Sequence, residues 1–246
     1  MKTIKWIIIL FIICGFFLNC SVQIKSSDDI ISYRDGVILV RNNEIKLYKF
    51  NWIFWTKVFG SEKSLPNGYK NIFSDDNFIG IIMNNNKIQF YFFNVDQKIW
   101  AKTFLPDLTL SNGYKSVFGI GDKIGVIMDY NDIQFYEYDH NDNTWIPSIF
   151  YSGSKIILPN EYKNVFGFFG SIIGIVLDNK IIFYMYEFNN KTWTKSSVPD
   201  LALPSGYKNV FDFDQFIGIV IDNKIQLYKS DHDSWNLISD LKLIIR

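Results

Sequence analysis

Carboxylates are the side chains of this sequence best suited to catalysis. Two carboxylates at a fixed separation can act as acid and base or nucleophile on a glycosidic bond. The candidates follow the first apolar stretch of a repeated unit, at Asp35, Asp75, Asp76, Asp122, Asp212 and Asp214. Their positions vary from unit to unit, and aspartate is an ordinary turn residue. We therefore interpret them as solvated turn residues and keep a glycoside-processing enzyme as an alternative function.

Histidine and cysteine add little further chemistry. The two histidines, His140 and His232, both lie in polar turns, so no Ser-His-Asp arrangement or general base is apparent. The oxygen ligands of residues 139–143 lack the glycine and the distal glutamate of an EF-hand calcium loop. Cys14 and Cys20 both lie near the N-terminus, which leaves neither a disulfide framework nor a zinc site. The sequence predicts no metal and no cofactor.

Cys20 is instead a candidate for lipidation. Lys2 and Lys5 precede an apolar run over residues 6–18, and that run ends in FLNCS at 17–21. A membrane-spanning helix needs about 20 apolar residues, so the run is short for a span and suited to a signal peptide. Its end resembles the lipobox of bacterial lipoproteins, in particular the relaxed lipoboxes of spirochaetes.

This resemblance implies cleavage before a lipidated Cys20. We predict a lipoprotein signal peptide over residues 1–19, a polar tether over 20–29, and a membrane partner reached through the lipid. The protein is then exported and anchored to the cell envelope, on its periplasmic or outer surface. An uncleaved N-terminal anchor is the alternative.

Three sequence markers recur with a period of about 45 residues, which is the mark of a repeat architecture. The first marker is a block such as Leu-Pro-Asn-Gly-Tyr-Lys-Asn-Val-Phe, whose tyrosines are Tyr69, Tyr114, Tyr162 and Tyr207. The second marker is Ile-Gln-Phe-Tyr or a close variant, at 45–48, 88–91, 133–136, 181–184 and 225–228. The third marker is a tryptophan, at Trp55, Trp100, Trp145, Trp193 and Trp235.

Each repeat contains four apolar stretches separated by polar turns. The second stretch, such as FIGIVI at 216–221, is continuously apolar and typical of a strand buried on both faces. The third alternates in the manner of a half-exposed strand. Asn- and Asp-rich turns such as 84–86 suit tight hairpins. Four short antiparallel strands per repeat form a β-propeller blade, whereas a β-sandwich would not require a strict repeat.

The five units predict an all-β fold, a five-bladed β-propeller with four antiparallel strands per blade, preceded by a signal peptide. The propeller occupies residues 30–246, with repeats at approximately 30–64, 65–109, 110–157, 158–202 and 203–246. An open fragment completed by self-association is the alternative. A glycine recurs in the second strand, where we predict close approach of neighbouring sheets, at Gly80, Gly125, Gly174 and Gly218.

The unit resembles hemopexin-type repeats, in which an inner strand ending in Phe precedes two aromatic-rich strands and a Pro-containing link. Hemopexin domains have four blades, so the resemblance implies no ligand or metal site for five. Five-bladed lectins have repeats of similar length, but their sugar-binding motifs are not found in this chain.

The composition limits the classes of partner that the protein is expected to bind. Twenty-five basic and 25 acidic residues balance, and no long basic run appears, which excludes a nucleic-acid partner. The repeated aromatics are interpreted mainly as core. The alternative is one shallow ligand pocket per blade, formed by the links at Asn67, Tyr69, Asn112, Tyr114, Asn160, Tyr162, Ser205 and Tyr207.

The preferred function is therefore a membrane-tethered, non-enzymatic binding module. Its expected ligand is a protein or glycan of the cell envelope or of a host. A glycoside-processing enzyme and a purely structural envelope lipoprotein are the alternatives.

Overall fold

The computed structural model describes ten segments of the chain: residues 29–34, 36–50, 55–75, 77–148, 151, 156–168, 170–213, 215–222, 224–231 and 233–242. Within these segments the regular structure is entirely β-strand. No helix in them is long and apolar enough to cross a membrane. The predicted signal peptide, the lipidation site Cys20 and the tether up to residue 28 lie outside the described residues.

The strands of each repeat form one antiparallel sheet, so the chain makes five blades. Blade one contains β1 (Asp29–Tyr33), β2 (Gly36–Arg41), β3 (Glu44–Phe50), β4 (Trp55–Lys57) and β5 (Lys63–Ser64). Blade two contains β6 (Tyr69–Ser74), β7 (Ile79–Met83), β8 (Lys87–Asn94), β9 (Ile99–Lys102) and β10 (Leu108–Thr109). Blade three contains β11 (Tyr114–Ile120), β12 (Lys123–Met128), β13 (Ile133–Asp139) and β14 (Thr144–Pro147). Blade four contains β15 (Asn164–Phe168), β16 (Ile172–Val176), β17 (Lys180–Glu187), β18 (Thr192–Lys195) and β19 (Leu201–Ala202). Blade five contains β20 (Asn209–Phe213), β21 (Phe216–Ile221), β22 (Lys224–Ser230) and β23 (Trp235–Lys242).

The blades close into a ring around their first strands. These inner strands contact one another in the order β1, β6, β11, β15, β20 and back to β1. Five apolar clusters fill the five junctions between neighbouring blades. The cluster at the seam joins Ile30 and Tyr48 of blade one to Phe211 and Phe216 of blade five. The prediction of an all-β, five-bladed propeller with antiparallel strands is confirmed.

No described strand crosses the seam, because blade one is built wholly from β1–β5 and blade five wholly from β20–β23. Contacts made by side chains close the seam instead. Asn209 donates from Nδ2 to the carbonyl of Ile30 at 2.7 Å, and the hydroxyl of Ser32 donates to Asp212 at 2.9 Å. Closure of the ring therefore depends on packing and on these polar contacts between the first and last inner strands.

The fourth strand is divided in blades one, two and four, which is why their sheets contain five strands rather than the expected four. In blade one, β4 pairs with the C-terminal half of β3 and β5 with its N-terminal end. Lys46 and Leu47 of β3 therefore face the five residues 58–62. The hydroxyl of Ser61 replaces part of the missing ladder by accepting from the Leu47 N–H at 3.0 Å.

The interruption supplies an acceptor to the next blade. The indole N–H of Trp100 donates to the carbonyl of Ser61 at 2.8 Å, Trp145 to Pro106 at 2.9 Å, and Trp235 to Pro199 at 2.7 Å. Each acceptor lies six residues beyond the tryptophan of its own blade. In blade five, β23 pairs with β22 along its whole length with one irregularity, so this interruption is missing there. The buried indole N–H of Trp55 has no hydrogen-bond acceptor within the described structure.

The repeated glycines face an aromatic ring of their own sheet. Gly125 pairs with Phe118, and a Cβ added at Gly125 would lie 2.3 Å from the Phe118 ring. The same relationship holds for Gly80 with Phe73, Gly174 with Phe166 and Gly218 with Phe211. The expected packing role is therefore found, but the close approach is between paired strands of one blade and not between neighbouring sheets. In blade one the pair is Ile31 with Ile38.

Candidate functional site

The eight predicted link residues lie on one face of the ring, beside the hairpins that join the second and third strands. The N–H of Leu65 in the first link donates to the carbonyl of Asn43 in such a hairpin at 2.8 Å. Leu110 and Asn86 repeat this bond at the next junction at the same distance. The eight residues that share this face are Asn67, Tyr69, Asn112, Tyr114, Asn160, Tyr162, Ser205 and Tyr207.

The four link tyrosines serve mainly in packing. Each is half-buried and contacts the apolar cluster at a blade junction. Tyr207 donates its hydroxyl to the carbonyl of Leu177 at 3.1 Å, and Tyr69 donates to Asn43 at 3.1 Å. Burial raises the pKa of Tyr162 and of Tyr207. The phenols of Tyr162 and Tyr207 therefore remain protonated across the neutral range.

The short polar residues of the same links are exposed. The amide of Asn131 donates to Asn160 at 3.1 Å, and that of Asn86 reaches Asn112 at 3.5 Å. The links thus form an open polar rim that a broad partner could contact.

The candidate carboxylates lie at the opposite face or in the channel, each in a different setting. Asp75 is buried and accepts from the backbone N–H of Asn77 at 3.2 Å. Asp122 is an exposed turn residue paired with Lys123. Asp212 lines the channel and accepts from the Ser32 hydroxyl. The candidates Asp35, Asp76 and Asp214 lie outside the described residues.

The central channel is narrow. Its cavity measures about 200 Å³ and is lined by the five inner strands. At one level the strands approach so closely that a Cβ added at Gly119 would lie 2.3 Å from the carbonyl of Ser74, and one at Gly167 equally close to that of Gly119. Asn71 and Asn164 turn their Oδ1 atoms back to the next backbone N–H, at 2.8 and 2.9 Å. These channel side chains thus satisfy the hydrogen-bonding groups of the inner-strand backbone. Among the described residues no three His, Cys, Asp or Glu side chains group as metal ligands.

A larger and more apolar cavity lies between blades two and three. We call it the aromatic groove; it measures about 440 Å³. Its lining comes from the turns after the first strands of three blades, from the outer segment 103–105, and from the end of β13. The lining residues are Arg34, Asn77, Phe78, Phe92, Thr103, Phe104, Leu105, Asp122, Tyr138, His140 and Trp145. The groove opens on the face opposite the link residues, because these turns lie at the other ends of the strands.

Aromatic rings of several orientations form the walls. Phe104 is 79% exposed, and its ring centroid lies 6.2 Å from that of Tyr138 in an edge-on arrangement. Tyr138 in turn lies 4.7 Å from His140 and 5.8 Å from Trp145. Trp145 is buried and its N–H is bonded to Pro106, so it forms an apolar floor. An exposed ring beside such a floor offers apolar surface that a ligand can bury.

Polar atoms stand at the rim of this groove. Asn77 and Asp122 come from the turns of blades two and three, Arg34 from that of blade one, and His140 from β13's end. The side-chain polar atoms of Asn77 and His140 make no hydrogen bond within the described structure. At the neighbouring junction, between blades three and four, burial raises the pKa of Tyr151 to about 12, and the charge of Asp122 adds to the rise.

The repeat departs from its pattern beside the groove. Phe59 and Phe104 both follow their blade's tryptophan by four residues, but Gly60 follows the first and Leu105 the second. Gly60 has φ +76°, and a Cβ there would lie 2.4 Å from the carbonyl of Lys98 in blade two. The turn of blade two therefore closes over blade one. At the next junction the equivalent residue is Leu105, which packs partly buried against the apolar cluster of that junction.

At the matched junction between blades one and two, a lysine lies beside the equivalent phenylalanine. The Lys98 ammonium lies 5.3 Å from the ring of Phe59, which is 77% exposed. Val95 and Phe93 stand where blade three has His140 and Tyr138. The groove was not predicted from the sequence, because it does not belong to the features that the repeats share. The departures Phe104-Leu105-Pro106 and His140 were visible as breaks in the repeat.

Comparison with known proteins places the chain in no family. No protein-family model matches it, and no curated protein matches it. Among solved structures it is similar to a Kluyveromyces lactis protein described as "Hsv2 complete loop 6CD", with 11% sequence identity and a TM-score of 0.45. The match covers 88% of this chain and 63% of that chain, so this chain spans less than two thirds of the other's length.

Proposed function

We propose that this protein is an exported, lipid-tethered binding module of the cell envelope, and that the aromatic groove between blades two and three holds its ligand. The groove carries the proposal: about 440 Å³ with an exposed Phe104 is within the ~300–1,000 Å³ usual for ligand sites. The expected ligand class, from the sequence, is a protein or a glycan of the envelope or of a host.

The tether is supported by the N-terminal pattern alone. Cys20 ends an apolar run preceded by Lys2 and Lys5, and the first strand begins at Asp29. A short polar segment therefore separates the lipidation site from the ring. Several acyl chains on one cysteine would anchor it stably, since each buried CH₂ contributes ~0.8 kcal/mol.

Detergent partitioning of the full-length chain, expressed in a bacterium that processes lipoproteins, tests the tether. The unaltered protein is expected in the detergent phase of Triton X-114 and to incorporate radioactive palmitate. Cys20→Ser should lose the palmitate and shift to the aqueous phase or remain as the uncleaved precursor. Cys14→Ser is the matched control and should behave as the unaltered protein. Equal palmitate labelling of the Cys20→Ser variant would exclude lipidation at Cys20.

Ligand binding is tested with the chain from Ser21 onward, which retains every strand of the ring. Immobilised glycans and extracellular-matrix proteins form the panel, and biolayer interferometry gives the dissociation constants. Phe104→Ala should abolish a saturable interaction that Phe59→Ala leaves intact. Asn112→Ala, on the opposite face, should also leave it intact. Loss with Asn112→Ala and not with Phe104→Ala would move the site to the links and overturn the groove.

A further inference from the structure

We infer that the aromatic groove takes an uncharged hexopyranose ring, as the terminal residue of a glycan. This inference rests on the proposed function, because it names the ligand class of the same site.

The walls suit the apolar face of a sugar. A pyranose presents C–H bonds on one face and hydroxyls around its edge, so it needs a ring to lie on and polar groups beside it. Phe104 offers an almost fully exposed ring, while Tyr138 stands edge-on to it at 6.2 Å. Tyr138 is fixed in turn by its hydroxyl, which donates to Asn143. A ligand ring on Phe104 therefore meets a side wall that is already ordered, which lowers the entropic cost of binding.

The rim favours hydroxyls over an apolar peptide side chain. A leucine or phenylalanine in the groove would desolvate Asn77 and His140 without pairing them, and an unpaired buried polar group opposes binding. Hydroxyls can donate to the Asp122 carboxylate and to the Asn77 side-chain oxygen, and can accept from the Asn77 amide.

Charge at the rim favours an uncharged sugar. Asp122 is paired with Lys123, and the Arg34 guanidinium lies over the Tyr33 ring at 5.2 Å while also lining the groove. One carboxylate and one guanidinium leave no excess of either sign. A uronic acid or a cationic amino sugar would meet one rim charge that attracts it and one that repels it. Neutral hydroxyls can pair with both the donor and the acceptor groups of the rim.

The aromatic groove lies at one junction, between blades two and three, whereas the sequence suggested one pocket per blade. At the first junction the Lys98 ammonium lies 5.3 Å from the ring of Phe59, which is 77% exposed, and Ser197 stands at the equivalent position of blade four. Binding to one protein molecule should therefore saturate at one sugar ring.

Saturation-transfer NMR with the chain from Ser21 onward tests the inference. The probes are the methyl glycosides of glucose, galactose, mannose and N-acetylglucosamine, with glucuronic acid and glucosamine as charged comparisons. At least one neutral glycoside should bind with 1:1 stoichiometry, and the charged analogues should bind more weakly. Phe104→Ala should weaken the binding by about tenfold or more, the loss expected for one ring-stacking contact. Phe59→Ala should leave it unchanged.

The outcomes separate this inference from the function on which it rests. If no glycoside binds but Phe104→Ala still abolishes binding to a protein of the panel, the sugar inference is overturned and the binding module stands. If glycosides bind equally to both phenylalanine variants, the groove is not their site and the inference falls. If Phe104→Ala changes no interaction with any glycan or protein, both fall. Unchanged circular dichroism of Phe104→Ala, whose side chain is exposed, shows that a loss of binding is not a loss of folding.

Discussion

The Nδ2 atom of Asn209 lies 2.7 Å from the backbone carbonyl of Ile30, and this hydrogen bond joins the last inner strand of the ring to the first. The Oδ1 atom of the same side chain accepts from the N–H of Val210 at 2.8 Å. The Oδ1 atom of Asn164 likewise accepts from the N–H of Val165, at 2.9 Å. Asn164, however, lies in a junction between blades that the continuous chain already connects. One amide therefore serves both local strand geometry and closure of the ring.

Asn209→Ala should destabilise the protein by about 1–2 kcal/mol, because it leaves the Ile30 carbonyl at the seam without this donor. Asn164→Ala is the matched control and should lose less, since it removes only the bond to its own chain. Urea unfolding followed by tryptophan fluorescence gives both free energies of unfolding. Equal losses in the two variants would show that the seam gains nothing from Asn209.

The indole hydrogen bonds between blades can be tested atom by atom. Replacing a tryptophan by benzothienylalanine substitutes sulfur for the N–H and nearly preserves shape. At Trp100 this should destabilise the protein by about 1–2 kcal/mol, because the buried Ser61 carbonyl loses its donor. At Trp55 it should be neutral or stabilising, because that N–H is buried without an acceptor among the described residues. Equal destabilisation at the two positions would contradict the assigned difference between the first junction and the seam.

The glycine and phenylalanine that face each other across two paired strands should behave as one unit. Gly125→Ala should destabilise the ring by about 1–3 kcal/mol, because the added Cβ collides with the Phe118 ring. Blade one contains isoleucine at both positions, Ile31 and Ile38.

The double variant Phe118→Ile with Gly125→Ile should therefore lose less free energy of unfolding than the two single variants lose together. The expected coupling energy is roughly 1–2 kcal/mol. A thermodynamic double-mutant cycle measures this term. Strict additivity would mean that the two side chains do not share their space.

The repeated positions were predictable and the irregular ones were not. The tyrosines, tryptophans and glycines recur in phase, so their periodicity indicated five blades. The glycines pack within one blade, however, and not between neighbouring sheets as the sequence suggested. The interruption at residues 58–62 was hidden, because its pairing depends on how many residues face Lys46 and Leu47 rather than on residue type. The aromatic groove was hidden for a different reason. It lies where blade two has Leu105 at the position that Gly60 holds in blade one, so it is a departure from the repeat and not a feature that the repeats share.

Acid should weaken the outer edge of blade four through Asp200. This carboxylate pairs with Lys180 at 3.0 Å and with Lys195 at 3.3 Å. Burial alone would raise its pKa, but the hydrogen bonds from the two lysines outweigh burial and lower the pKa below the usual value of 3.8. A carboxylate with a lowered folded pKa stabilises the protein above its unfolded pKa, and that contribution is lost as the pH falls through the folded value.

Asp200→Asn should therefore reduce the free energy of unfolding at pH 7 by up to about 1 kcal/mol, since the pair is partly exposed. The difference in free energy of unfolding between the variant and the unaltered protein should shrink as the pH drops below 3.8. It should disappear once Asp200 of the unaltered protein is protonated, because residue 200 is then neutral in both proteins. Urea midpoints at pH 7 and pH 2.5 measure it, with Asp142→Asn in an exposed turn as the control expected to match the unaltered protein at both. A difference of the same size at both pH values would show that Asp200 acts through shape or hydrogen bonding and not through its charge.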